Sequence, residues 1–161
     1  MARIDTTPVT IMEAITARLI DQITALNPAT CFVSRPNQQF EMSAGGIFTT
    51  IWIDSGQFDQ GQLDGGMATV TASVSVTVHT PIMLDQTGHD TQFLSDASRG
   101  VLSLGHDAIK ALTLHDLTVD DDEILREPMR PTGFNTPDRT SDELGDWTIT
   151  FDAMFDWDLT A

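Results

Sequence analysis

The chain has 161 residues, 40% of them hydrophobic, and its 24 acidic against 8 basic side chains give a formal charge of −16. That length supports one domain, spanning 1–161, able to bury a core without staples, and the lone cysteine, Cys31, excludes an intrachain disulfide framework. With 19 aspartates and Lys110 as the single lysine, most of the surface repels nucleic-acid phosphates, which disfavours general DNA or RNA binding. Two explanations of the acidity stand side by side: adaptation to a saline milieu, or a surface that faces DNA without gripping it. No apolar run reaches the length of a membrane span, and the opening residues lead into a polar stretch with no signal-peptide core. The expectation is a soluble protein of a reducing compartment.

In chain order, the first expected element is a helix capped by Thr7, with Pro8 at its first position and a second capping signal at Thr10 and Glu13. Met12, Ile15, Leu19, Ile23 and Leu26 form its apolar stripe, and Asn27-Pro28 ends it. A short strand is expected at 31–33. Residues 47–54 carry large apolar groups on both faces, among them Ile47, Phe48, Ile51 and Trp52, so they read as a central strand. The segment 55–66 holds four glycines among Gln and Asp and reads as a flexible hairpin connection.

The next strand is explicit. Ala68, Val70, Ala72, Val74, Val76 and Val78 alternate with Thr69, Thr71, Ser73, Ser75, Thr77 and His79 until Pro81 stops the run. A second helix is expected over 90–115 on the spacing of Phe93, Ala97, Val101, Leu104, Ala108 and Leu112. Gly100 and Gly105 inside it mean either a close approach to the sheet or a break. A brief strand is possible at 117–119. The stretch 120–146, acidic and then rich in Pro and Arg, has no sustained period and reads as a long loop or arm. The chain closes on an alternation from Trp147 through Ile149, Phe151, Ala153, Phe155 and Trp157 to Leu159, which would extend roughly 43 Å at about 3.3 Å per residue. This order predicts an α+β fold: a mainly antiparallel twisted sheet of about four or five strands with two helices packed on one face.

Catalytic chemistry finds little support. The dipeptides His89-Asp90, His106-Asp107 and His115-Asp116, with His79 upstream, raise a small metal-dependent hydrolase as the alternative from a different class. Yet His106 and His115 stand nine residues apart, which places them on opposite faces of one helix. The run Asp120-Asp121-Asp122-Glu123 lacks the alternating oxygen ligands and central glycine of a calcium loop. Cys31 reads as a packed thiol. No dinucleotide or phosphate-binding glycine motif and no serine-hydrolase elbow occurs. The expectation is therefore a non-enzyme with no catalytic residues, no metal and no cofactor.

Interaction remains. Arg126, Arg130 and Arg139 are three of the eight basic residues, and they lie between prolines beside Met129 and Phe134. They read as inter-subunit or partner contacts, with Met129 and Phe134 as apolar anchors.

The element order, an amphipathic N-terminal helix, a strand pair joined by an acidic hairpin, a helix, a long loop and a closing aromatic strand, resembles the tail-terminator or tail-completion (neck) proteins of long-tailed bacteriophages. The resemblance covers most of the chain and rests on order and size, with no signature motif. It implies a virion structural protein that caps the tail tube and joins tail to head connector as a homohexameric ring, with DNA passing through unbound. It further implies self, tail-tube and connector proteins as partners, no membrane, and a place in the virion neck after assembly in the host cytoplasm. The hairpin residues Gln57, Phe58, Asp59, Gln62 and Asp64 would face the tube or connector. The alternatives are another neck or minor tail component of similar fold, and a host-encoded binding module unrelated to virions.

Overall fold

The computed structural model describes residues 6–34, 48–59, 65–81, 101–135, 138–139 and 144–160. Within them the order is α1 (Pro8–Gln22), β1 (Cys31–Val33), β2 (Phe48–Phe58), β3 (Met67–Pro81), α2 (Val101–Leu112), β4 (Thr118–Val119), β5 (Asp122–Glu123), β6 (Glu127–Phe134), β7 (Asp138–Arg139) and β8 (Leu144–Asp158). The main sheet runs β1-β2-β3-β8-β6, with β7 also pairing β8, and β4-β5 form a separate two-stranded hairpin. The fold is α+β. The main sheet is mixed, because β1 lies parallel to β2 while every other pair is antiparallel. The expected four or five strands become six, since the Pro-rich segment contributes to the sheet.

The two alternating segments form the centre. β3 and β8 pair from Met67 with Asp158 to Pro81 with Leu144 without a register slip. Period-two alternation puts Val70, Ala72, Val74, Val76 and Val78 on one face beside Ile149, Phe151, Ala153 and Phe155, all buried. Fully buried Phe151 and Phe155 each stabilise the fold by about 1.5–3 kcal/mol through apolar burial.

Both helices cover this face. α1 begins as its sequence dictates: Thr7 Oγ1 accepts the Thr10 N–H at 3.3 Å and Thr10 Oγ1 accepts the Thr7 N–H at 3.2 Å, so the reciprocal box uses Thr10 where Glu13 was expected to close a later one. The helix ends at Gln22, short of Asn27-Pro28, yet Ile23 and Leu26 remain in the core. Arg18 reaches α2, its Nε donating to the Ala111 carbonyl at 3.1 Å and satisfying a helix-end acceptor. Gly105 is the close approach anticipated: a Cβ there would lie 2.2 Å from Trp147 Cε3. Gly100 and the expected helical residues 90–100 lie outside the described residues.

Two expectations are corrected. The segment 120–146 contains β6 and β7, which line the outer side of β8, so much of the expected arm is sheet. The hairpin at 55–66 is shorter than expected, because Ser55, Gly56, Gln57 and Phe58 continue β2 past a bulge at Ile53/Ser55.

Candidate interaction surfaces

Among the described residues, the histidines His79, His106 and His115 stand apart from one another. His79 is buried on the sheet face away from the helices, directly opposite Phe48, on which its ring stacks at 4.4 Å. Its Nε2 pairs with Thr50 Oγ1 at 3.3 Å, and burial lowers its pKa to about 4, so it is neutral near pH 7. His106 and Asp107 are exposed on α2, on the other side of the sheet from His79. His115 is half-buried, its pKa lowered by burial and by the Arg18 guanidinium, with Asp116 opposing. His89 lies outside the described residues. Among the described residues no three His, Cys, Asp or Glu side chains gather to hold a metal.

Cys31 is buried and its thiol is pushed up to about 12 by desolvation, as befits a packed group. Asp120 and Asp121 have φ of 50° and 67°, the positive-φ pair of a type I′ hairpin turn between β4 and β5, so this acidic run has a backbone role. An open groove of about 410 Å³ between the end of α1 and α2 includes Ile23, Asp107, Lys110 and Ala111 among its lining. One carboxylate and one ammonium there do not converge with any nucleophile.

The arginine segment proves to be a sheet border. Met129 is fully buried in the core, so it anchors β6 to its own chain and is closed to a partner, contrary to its expected role. The reason is alternation: Pro128 and Arg130 flank it on the outward-facing positions. Arg126 pairs in the same chain, its Nε 2.7 Å from Asp156 Oδ1, which also accepts from Thr69 Oγ1 at 2.9 Å. Arg130 is largely exposed, 3.8 Å from Glu127. Arg139 lies in β7 opposite Gly145. Phe134 is 71% exposed and meets Trp147 edge-on at 5.7 Å. Asn135 fixes that end, its carbonyl accepting from Trp147 Nε1 at 2.7 Å and its Oδ1 accepting the Thr148 N–H at 2.8 Å.

Sequence reasoning missed how this border is covered. Leu114, just past α2, has φ 55°, a left-handed conformation costly for leucine. That bend lets the Leu114 N–H donate to the Met129 carbonyl at 2.8 Å, while the Met129 N–H donates to the His115 carbonyl at 3.1 Å. The outer amide groups of β6 are thus occupied at Met129, and Pro128 and Pro131 have no N–H to offer.

At the opposite border, the expected contact residues Gln57, Phe58 and Asp59 are all exposed, while Gln62 and Asp64 lie outside the described residues. Phe58 stacks on Trp157 at 6.1 Å, extending the apolar face beyond the helices, and Asp54 accepts a hydrogen bond from Ser75 on the polar face.

No family model and no curated protein matches the chain. Among solved structures it is similar to a chain described as "Virion of native gene transfer agent (GTA) particle", with a TM-score of 0.53 and 14% identity over 89% of this chain and 96% of that one. At that identity the likeness is one of fold.

Proposed function

We propose that this chain is a virion structural protein that caps the tail tube and joins tail to head connector as an oligomeric ring. The observation that carries the reading is the fold-level likeness, over nearly the whole of both chains, to a chain of a phage-like gene transfer agent virion. The physical character of the chain agrees. Among the described residues, the exposed large apolar side chains include Phe58 and Phe134 at sheet borders, positions suited to association. Its charge of −16 disfavours adhesion to DNA passing nearby. Phe58, Phe134, Arg130 and Arg139 are the contact residues left for partners once Met129 is assigned to the core and Arg126 to its ion pair with Asp156.

Deleting the gene from a particle-producing strain tests this. The expected result is tails of unregulated length and unjoined heads, restored by the parent gene, with the protein found at the neck of complete particles by electron microscopy. Complete, joined particles lacking the protein would refute the reading.

A further inference from the structure

We propose that the outer border of β2 beyond Ile51 accepts an added strand from a different protein, an extended segment alternating apolar and cationic residues. The inference concerns a mode of contact and stands independently of the virion reading.

Geometry comes first. β1 pairs with β2 only from Thr49 to Ile51, so among the described residues no strand lies beside the remainder of β2. Residues 54–59 are all exposed. The Asp59 N–H donates to the Thr69 carbonyl at 2.9 Å, which sets the alternation along the ladder. Ser55, Gln57 and Asp59 therefore turn their amide groups inward to β3, and Gly56 and Phe58 turn theirs outward. This is a backbone template of the kind used in strand addition.

Side chains then specify the occupant. Gly56 and Phe58 share the face of Ala72 and Val70, their register partners. With no side chain at Gly56, an apolar residue of the added strand can lean across it beside Phe58. The other face carries the exposed carboxylates Asp54 and Asp59 in a chain of charge −16, so cationic residues are favoured there. A second copy of this chain is a poor occupant on both counts. Its own outer strand, β6, is blocked by Pro128, Pro131 and the bonds to Met129, and like net charges repel.

Amide hydrogen exchange on the full chain, read residue by residue by NMR, tests this with a capped nonapeptide of alternating valine and lysine as probe. In the free protein the Gly56 and Phe58 amides should exchange faster than those of Ser55, Gln57 and Asp59. Saturating probe should slow Gly56 and Phe58 by about tenfold or more. A valine–glutamate nonapeptide should leave them unchanged. Gly56→Pro, which removes an outward N–H, should abolish probe binding, while Gly56→Ala should retain it, since the new Cβ meets Val70 Cγ1 at 3.4 Å. Unchanged Gly56 and Phe58 exchange in the parent protein, or protection confined to another surface, would overturn the proposal, as would equal protection by the glutamate peptide. Protection that grows with protein concentration alone would assign the border to a second copy and overturn the choice of partner.

Discussion

Along β6 the sheet ends in two prolines and a backbone turn that occupies the Met129 amide groups; along the far half of β2 it ends in exposed strand with glycine, phenylalanine and two aspartates. Sheet borders left open are liabilities for aggregation, and proteins commonly close them with proline, charge or covering segments. One border here has all the marks of closure, and it includes a leucine held at φ 55° to complete it. The other has a bulge and carboxylates, which discourage indiscriminate pairing, and among the described residues no strand pairs its outward amides. The difference teaches that the β6 border offers side chains but few backbone groups, whereas the far half of β2 has, among the described residues, outward backbone groups to pair.

The sharpest way to break the closed border is from inside. Met129→Ala removes a fully buried side chain from the strand that the 114–115 turn grips. A loss of about 2–5 kcal/mol is expected, measured by urea unfolding, with exchange of the Met129 and Leu114 amides accelerated ahead of the β3–β8 amides. A loss shared evenly by all amides would mean that β6 unfolds only with the whole sheet.

An interior control comes from His79, remote from the open half of β2. Its folded pKa of about 4 lies below the ordinary 6.5, so the unfolded chain binds the proton more readily. The neutral ring's contribution is complete above pH 6.5 and is lost as pH falls toward about 4, by about 3 kcal/mol. Subtracting the stability of His79→Gln from that of the parent across pH 4–8 isolates this change from the titration of the carboxylates. A difference independent of pH would contradict the buried neutral imidazole.

Opening the closed border without touching the core is a smaller change. Pro128→Thr with Pro131→Thr restores two N–H groups on β6 and should leave the melting temperature within a few degrees. Sedimentation velocity should reveal concentration-dependent self-association stronger than the parent's. Failure to associate would locate the closure in the turn to Met129. Smallest of all, Arg126→Ala should cost under about 1 kcal/mol, because the guanidinium is half exposed although its partner Asp156 is mostly covered. Chemical denaturation in low and moderate salt should show that loss shrinking as salt rises.

Much of the centre was legible because its physics is local. The strict alternation of Val70 through Val78 and of Trp147 through Phe155 specifies strands with one dry face, and Thr7-Pro8 specifies where α1 begins. The outer strand was hidden because Pro128, Pro131 and Gly133 break the period, and proline argues against strand unless the position is already known to be a border. The parallel pairing of β1 with β2 was equally hidden, since three residues carry no direction. Met129 was assigned outward on the company it keeps in sequence, whereas alternation within β6 turns it inward. The open border was half legible: Gly56 and Phe58 read as hairpin because glycine suggested a turn, but here glycine continues the strand past a bulge.

The pairing of β3 with β8 also governs how the chain reaches this fold. Its nearest partners, Pro81 and Leu144, are separated by 63 residues (144 − 81), so the sheet's longest ladder begins only after a long loop closes. β2 and β3 are close in sequence and form early by comparison. Such non-local pairing places refolding in the slow range for small domains, milliseconds to seconds, and leaves β3 exposed on one side until β8 arrives. In that interval a run of valines waits beside an unfilled strand position, and the carboxylates of the rest of the chain are what keep neighbouring molecules apart.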